Sequence, residues 1–322
     1  MPVPSTTYTE VVTTTLDAYR DALADNIAAN IPLLSRLKSK GNTDPAGGGV
    51  HLLENLMYAS NSTVKWYSGL ETLDVSQSDV LTSASFNWKE LNANVIISGL
   101  DKAQNSGSRE SIYSLAKSRV KVAEITMMNT IGAALFFSNT ENAGKSIGGL
   151  QHLIADLPTS GVVGGIDAGT YPWWRNQFYD FSANSVTPSS STIQHAMNVV
   201  FLACQRNSDM IDLWVGDSTY FTYYLESLTA NQRFMDDQQA SSGFRALKFW
   251  GGVSDVIYDP NCPANHMYGL NTKYIHYRPH KDYNFVTLED KVSINQDATV
   301  VPIYWKGNMT VSNRSLQGLV EA

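Results

Sequence analysis

HLLENLMYASNSTVKWY (residues 51–67) and SASFNWKELNANVIISG (residues 83–99) decide how the rest of the chain is interpreted. Apolar and polar residues alternate in both stretches, which is typical of strands with one covered face. A polar, acidic segment, residues 68–82, separates them. We predict a long β-hairpin whose tip lies in that segment. A two-stranded ribbon is marginally stable by itself in water, so we expect another copy of the protein to cover it.

The return strand contains a change of register. Phe86 and Trp88 face one side by alternation, whereas Leu91 and Val95 face the other. Because side chains alternate with a period of two, one extra residue moves every later side chain to the opposite face. We therefore predict a bulge or irregular turn near Glu90.

A long helix is predicted directly after the hairpin, over residues 109–137, with Ser108 as its N-terminal cap. It would be on the order of 40 Å long and could cross a domain as a spine. Apolar residues at helical spacing predict one buried stripe. The stripe consists of Ala116, Val120, Ala123, Met127, Ile131 and Ala134, widened by Ile112, Leu115, Val122 and Ile125.

Composition bounds the class of protein. The chain has 322 residues, 43% of them hydrophobic and 16% charged, and soluble domains typically have ~25% charged residues. A composition with so few charged residues suits a protein whose surface makes extensive contacts with neighbours. A plain β-rich domain explains the same composition nearly as well. The net charge is -7 and the basic residues are scattered, so a nucleic-acid grip by a basic helix is not supported.

Targeting signals and cysteine chemistry also give negative results. No run approaches the ~18 apolar residues of a transmembrane helix. The first residues lack the basic and apolar regions of a secretory signal. Cys204 and Cys262 are too few for a disulfide framework or a metal set. These features predict a cytoplasmic protein.

Residues 1–50 are predicted to form an arm. Apolar residues recur every three or four positions from Leu16 to Ile31, which predicts an amphipathic helix. We expect Pro32 to end or kink this helix and a short apolar and basic turn to close at Gly41. The arm either needs a partner surface or folds back on its own domain, and the sequence leaves both open.

The second half of the chain is predicted to be a compact α+β module. Helices are expected near residues 193–204 and from Ser218, which we take as a cap, and buried strands near residues 211–216 and 247–258. The last strands are expected to flank a turn at Lys306, Gly307 and Asn308.

No chemistry-bearing motif is found. The six histidines are scattered, with no HExxH motif and no cysteine at zinc spacing. No GxSxG elbow occurs, and the glycines of residues 147–165 match no phosphate-binding loop. Asp236 and Asp237 are interpreted as a solvated loop end. We therefore expect no enzyme activity, no cofactor and no metal.

The order of several stretches resembles a group of tailed-bacteriophage major capsid proteins. The resemblance covers most of the chain, is strongest over residues 18–176, and lies in the order of the segments rather than in one motif. It is carried by DALADNIAANIPLLSRLKSKG (21–41), GGGVHLLENLMYASNSTVKWYSGLETLD (47–74), SASFNWKELNANVIISGLDKAQNSG (83–107), IGGLQHLIADLP (147–158), GVVGGIDAGTYPWWRNQ (161–177) and INQDATVVPIYWKGNMTVSN (294–313).

The resemblance implies the α+β capsid fold named after phage Hong Kong 97. Its parts would be an N-terminal arm (1–50), an extended β-hairpin loop (51–98), a peripheral domain (99–204) with the spine helix, an axial domain (205–270) and return strands to the peripheral domain (271–322). It also implies a homo-oligomer of hexamers and pentamers in an icosahedral shell around double-stranded DNA, with a portal and scaffolding or decoration proteins as further partners. The location would be the virion, after synthesis in the host cytoplasm.

Two sets of site residues follow from this reading. We expect the hairpin to contact neighbouring subunits, because exposed aromatic clusters usually mark contact surfaces, and some relatives cross-link through a lysine and an asparagine. The expected contact residues are Trp66, Tyr67, Glu71, Trp88 and Lys89, with the three aromatic residues near the hairpin tip. The basic residues expected at the inner face of the shell are Arg36, Lys38 and Arg119. The alternative is another virion protein, such as a tail tube or baseplate component.

Overall fold

The computed structural model describes residues 31–100, 109–228, 247–287, 291–292 and 296–322. Its longer helices are α1 (Pro32–Ser39), α2 (Arg109–Ala134), α3 (Ile193–Ala203) and α4 (Ser218–Ser227). Its strands are β1 (Leu52–Met57), β2 (Leu81–Phe86), β3 (Lys89–Ser98), β4 (Val162–Val163), β5 (Ile166–Asp167), β6 (Gln177–Asp180), β7 (Leu213–Gly216), β8 (Leu247–Phe249), β9 (Ser254–Tyr258), β10 (His266–Leu270), β11 (Ile275–Pro279), β12 (Val286–Thr287), β13 (Lys291–Val292), β14 (Ala298–Val311) and β15 (Gly318–Glu321). None of the helices in these ranges is long and apolar enough to span a membrane.

The long strand β14 organises the first sheet. It pairs antiparallel with β3 along most of its length and with β11, β12 and β13. The turn predicted at residues 306–308 is wrong, because β14 runs straight through it. Gly307 is required there for a different reason: a Cβ at this position would lie 2.7 Å from the Arg278 carbonyl oxygen. The glycine therefore serves close strand packing.

Helix α2 lies against β3 and contributes to the first hydrophobic core. The spine helix is confirmed but ends at Ala134, three residues earlier than predicted. Val120, Met127 and Ile131 are buried as expected, whereas Val122 and Ile125 face solvent, so the predicted widening of the stripe there is wrong. A helix that packs on a single sheet buries only one narrow stripe. Ser108 and the side chains of Ile112, Leu115 and Ala116 lie outside the described residues.

The second sheet has the strand order β6-β15-β10-β7-β9-β8. Helices α3 and α4 cover one face and form a second core with it, around Met197, Trp214 and Tyr220. The opposite face turns toward the first core through side chains such as Val215 and Tyr268. This sheet crosses the predicted domain limits at 204 and 270, because β6 and β15 join it from outside that range and pair in parallel.

The described part of the arm packs on its own chain. Helix α1 begins at Pro32 and occupies the segment that we expected to be a short apolar and basic turn. Proline is suited to the first helical position, where the amide has no intrahelical partner. The helix ends in a Schellman motif, in which Gly41 has φ +77 and the Asn42 amide donates to the Leu37 carbonyl. The predicted helix over residues 16–31 lies almost entirely outside the described residues.

Most of the predicted elements of the second half are present. The helix predicted near 193–204 and the strands predicted near 211–216 and 247–258 correspond to α3, β7, β8 and β9. The cap of α4 is Asp217 rather than the predicted serine: its Oδ1 accepts from the Tyr220 amide at 2.9 Å. Asp236 and Asp237 lie outside the described residues. Cys204 and Cys262 are both buried thiols.

Candidate assembly surface

The predicted hairpin is a shorter ribbon than the sequence suggested. Strand β1 pairs antiparallel with β2, from Leu52 opposite Phe86 to Met57 opposite Leu81. The return run then leaves the ribbon, and β3 pairs with β14 instead. The predicted change of register is therefore real, and it falls at Asn87 and Trp88, between β2 and β3. The expectation that residues 89–98 continue the ribbon is wrong, because β14 offers them a longer partner.

A glycine turn covers the inner face of the ribbon. Gly164 connects β4 to β5 with φ +61, and its carbonyl accepts a hydrogen bond from the Ser85 amide at 2.8 Å. A Cβ on Gly164 would lie 2.7 Å from that of Ala84 and 3.1 Å from the Phe86 ring. Trp174 holds this glycine turn in place, because its Nε1–H donates to the Val163 carbonyl at 3.0 Å. Glycine is thus needed both for the backbone conformation and for the contact.

A buried carboxylate anchors the ribbon to the body. Glu54 on β1 accepts two hydrogen bonds from Arg278 of β11, from Nε at 2.6 Å and Nη2 at 3.0 Å. Its Oε1 also accepts from the Thr310 hydroxyl of β14 at 2.6 Å. Such a two-point pair between a guanidinium and a carboxylate fixes orientation as well as distance. These bonds to β11 and β14 therefore fix the position and orientation of the ribbon base relative to the first sheet.

Glu54→Ala is expected to lower the free energy of unfolding by about 3 kcal/mol, because it leaves the Arg278 cation without its buried partner. Glu54→Gln, which keeps one acceptor, should lose less. Chemical unfolding measures both. The control is Glu90→Gln: Glu90 pairs with Lys306 at 2.7 Å but is mostly exposed, so its loss should stay within about 1 kcal/mol. Equal losses for Glu54→Ala and Glu90→Gln would refute the anchoring role.

The outer face and the tip of the ribbon expose apolar side chains. Trp66 and Leu70 have essentially their full surface in solvent, 101% and 104% exposed. Further exposed apolar residues of the ribbon and its tip are Leu53, Met57, Val64, Tyr67, Leu73, Val75 and Leu81. A run of this extent is unusual on a soluble monomer and marks an interaction surface. We call residues 58–80 the ribbon tip.

The ribbon tip is closed by hydrogen bonds that do not use strand pairing. The Tyr58 amide donates to the Val80 carbonyl at 3.1 Å, and the Ser62 and Ser78 hydroxyls lie 2.8 Å apart. Farther out, Lys65 Nζ donates to the Thr72 carbonyl at 2.7 Å. These bonds are solvent-exposed, so each adds little net stability. The tip is therefore a defined loop. Apart from Tyr58, whose ring stacks on that of Trp173, and the half-buried Val80, its large apolar side chains are left exposed by the described part of the chain.

The structure separates the five predicted contact residues into two groups. Trp66, Tyr67 and Glu71 lie in the ribbon tip and are exposed. Trp88 does not lie near the tip, as expected, but at the ribbon base, where it is half-buried against the His280 ring and donates to the Gly49 carbonyl. The sequence placed Trp88 by assuming one continuous return strand, and the break before β3 moves it.

Lys89 is also engaged within the chain. Its Nζ donates to Asn139 Oδ1 at 2.8 Å and to the Gly144 carbonyl at 2.5 Å. Burial lowers the pKa of this ammonium group. It holds the turn after α2, where Asn142 and Ala143 adopt left-handed backbone conformations. Its role as a contact between subunits stays a prediction.

The three predicted basic residues also differ in their surroundings. Arg36 is buried, and its Nη1 lies 3.5 Å from Asp255 Oδ2, a carboxylate that also pairs with Lys248. Arg119 on α2 is half-buried and donates to the Ile96 carbonyl of β3. Lys38 is exposed. The two arginines therefore have structural roles that the sequence pattern did not indicate.

Sequence reasoning missed most of the apolar surface. Leu70, Leu73 and Val75 lie within a segment that was interpreted as merely polar and acidic. Their presence between acidic residues was an available signal, since a solvated loop has no need of large apolar side chains. Leu53 and Met57 were missed because each alternates with buried neighbours and resembles an ordinary strand residue.

Comparisons with known proteins give matches in structure alone. No protein-family model matches the sequence, and no curated protein does so. A chain of the capsid asymmetric unit of cyanophage A-1(L) superposes with a TM-score of 0.67 at 13% identity, covering 91% of this chain and 92% of that chain. A chain of the capsid of the empty GTA particle gives 0.55 at 12% identity, covering 88% of each.

The fold also occurs outside phage capsids. A chain of the holo-SrpI encapsulin complex from Synechococcus elongatus PCC 7942 superposes with a TM-score of 0.55 at 8% identity, covering 89% of this chain and 86% of that chain. At such identities a structural match shows the fold, and function is argued from surfaces. The matches confirm the α+β fold class inferred from the sequence resemblance: the chain has the fold of phage capsid shell proteins.

Proposed function

We propose that this chain is the major capsid protein of a tailed bacteriophage, which self-assembles into hexamers and pentamers of an icosahedral head around double-stranded DNA. The observation that supports this proposal best is the exposed apolar ribbon on a capsid fold. A subunit that worked alone would pay for that surface in solubility, whereas a shell subunit buries it against a neighbour.

The geometry of the ribbon favours contact with another copy. Its inner face is anchored at the base through Glu54 and covered by the Gly164 turn, which leaves the outer face and tip to a neighbour. In a closed shell the same contact repeats between identical subunits, so the ribbon of each copy can be buried against a neighbouring copy. Trp66 at the end of the ribbon has the side-chain type that most often dominates interface energetics.

Domain roles and partners belong to the same proposal. The core built on β14 and α2 would be the peripheral part, and the core built by α3 and α4 on the second sheet would be the axial part. The protein would act as a structural component rather than as an enzyme, without cofactor, and would reside in the virion after synthesis in the host cytoplasm. A portal and scaffolding or decoration proteins would be further partners.

Electron microscopy of the purified full-length chain tests this function. The expected result is closed icosahedral particles. Tubes or plates would favour the alternative of a tail tube or baseplate protein, and a chain that stays monomeric both when purified and in infected cells would refute assembly altogether. Because an encapsulin complex shares the fold, particles from infected cells should also be treated with nuclease and assayed for protected double-stranded DNA. Particles that protect no DNA would contradict the genome-enclosing role.

A further inference from the structure

Three ionisable side chains form a row across neighbouring strands of the second sheet. Asp180 of β6 is paired in register with Glu321 of β15, and Glu321 is paired with His266 of β10. Directly cross-strand side chains on one face lie within contact distance. Asp156, from the segment after the single helical turn at residues 150–153, joins this row. The row therefore draws together parts of the chain that are more than a hundred residues apart.

The donor atoms of this group converge. His266 Nε2 lies 3.2 Å from Glu321 Oε2 and 3.6 Å from Asp156 Oδ1. One ligand atom from each of these residues lies within 4.8 Å of the other two. Donors around a tetrahedral ion with bonds of about 2.0–2.1 Å are separated by ~3.3 Å. The observed separations bracket that value.

The second ring nitrogen of His266 is already used. Nδ1 lies 2.7 Å from the Ala264 carbonyl oxygen, which can only accept, so Nδ1 carries the proton of this hydrogen bond. In the neutral ring, the lone pair of Nε2 then points at the two carboxylates. A backbone carbonyl that fixes the tautomer in this way is the usual outer partner of a metal-binding histidine.

Among the described residues, two buried polar atoms beside the row have no hydrogen-bond partner, Asp180 Oδ1 and the hydroxyl of Tyr268. In the same part of the chain, His266 Nε2 and Asp156 Oδ1 have only each other and Glu321 as partners. Tyr268 is fully buried, and its ring lies 6.0 Å from that of His266. Buried polar groups in folded proteins are almost always satisfied by a protein group, a water or an ion. Two unpartnered atoms beside a converging set of donors point to a ligand.

Charge decides which ligand fits. Three carboxylates and one imidazole carry a net charge of about -2 even when the histidine is protonated, so a proton alone leaves like charges opposed across the strands. A divalent cation balances them better. Imidazole with carboxylates suits zinc and similar transition metals, whereas calcium and magnesium prefer oxygen ligands alone.

We propose that His266, Asp156 and Glu321 form a binding site for a divalent transition-metal ion of the zinc class, with Asp180 beside it. The ion would tie β10 and β15 to the segment after residue 153 and so stabilise the subunit. The site lies on the body of the chain, apart from the ribbon, and does not depend on the assembly proposal.

Thermal unfolding of the full chain with and without metal tests the site. After dialysis against a chelator, excess zinc is expected to raise Tm on the order of 5 °C, and Co²⁺ should give the visible absorption of a tetrahedral complex at one equivalent. Magnesium should have little effect. No rise with zinc and no Co²⁺ spectrum would overturn the proposal and leave a proton-linked ion cluster.

Two variants locate the site. His266→Asn keeps a donor near the Nδ1 position and removes the Nε2 ligand, and Glu321→Gln removes one carboxylate. Each is expected to weaken Co²⁺ binding roughly tenfold or more. The control is Asp44→Asn, since Asp44 forms a comparable pair with His276 Nδ1 at 3.1 Å, and it should bind as the parent chain does. Unchanged binding by folded Glu321→Gln, or loss in Asp44→Asn, would place the metal elsewhere and overturn the assignment.

Discussion

Replacing Trp66 and Leu70 by serine should abolish particle formation while the subunit stays folded. Both side chains are fully exposed in the single chain, so their removal costs the fold almost nothing. In an interface, an aromatic anchor contributes about 2–4 kcal/mol, which lowers the association constant roughly thirtyfold to a thousandfold at each contact. Since every subunit contributes the same ribbon, the loss is repeated across the shell. Electron microscopy and sedimentation measure the particles, and thermal unfolding measures the subunit.

A matched control separates this effect from general loss of apolar surface. Leu202 is also exposed, but it lies on the solvent side of α3, the helix that packs on the second sheet, away from the ribbon. Leu202→Ser should leave both assembly and Tm close to those of the parent protein. If the ribbon-tip variant formed normal particles, the ribbon would not be the main device of assembly, and the proposed function would lose its principal support.

The ribbon also shows how far sequence patterns reach. Alternation predicted two strands and a break between Phe86 and Leu91, and both are present. The pattern did not indicate that the segment after the break pairs with residues 298–307, because period-two alternation looks the same beside any partner. The partner strand was itself misinterpreted, since a Lys-Gly-Asn sequence is typical of turns and here lies within a strand. The turn wrongly assigned within β14 thus hid the strand with which residues 89–98 pair.

The candidate sites were less predictable than the fold. Glu54 occupies a buried strand position, where a carboxylate is unfavourable until its partner is known, and Arg278 lies 224 positions away. Asp156, His266 and Glu321 follow no short motif: register between β15 and β10 brings His266 and Glu321 together, and Asp156 comes from the segment after residue 153. The scattered positions of the histidines thus excluded metal motifs of short spacing, but they did not exclude a site assembled from distant residues. Long-range pairing carries the information that spacing lacks.

Arg314, which lies between β14 and β15, is a charged residue in the interior of the protein. It is fully buried, and it donates to the carbonyl oxygens of Leu153 at 2.6 Å and Trp174 at 3.1 Å, and to Asn176 Oδ1 at 3.0 Å. Burial lowers the pKa of its guanidinium group to about 10, so it is still charged at neutral pH. The cation is thus solvated by three fixed carbonyl dipoles, two of the backbone at Leu153 and Trp174 and one of the Asn176 side chain, and it joins the segment at residue 153 to residues 174–176.

Arg314→Met should lower the free energy of unfolding by about 4 kcal/mol. Each acceptor left without a donor costs about 1–3 kcal/mol, and the relief of removing a buried charge offsets part of the sum. Arg314→Lys should recover only part of this loss, because an ammonium group cannot reproduce the planar fork that reaches all three acceptors. The midpoint of urea unfolding measures both variants.

Arg175 provides a comparison at lower burial. It too donates to backbone carbonyl oxygens, those of Ala168 at 2.7 Å and Gly169 at 3.0 Å, but it is only half-buried. Water can replace a donor there, so Arg175→Met should cost about 1 kcal/mol or less. If the two methionine variants unfolded at the same urea concentration, burial would not raise the cost of losing these donors, and Arg314 would not be the point that joins the two segments.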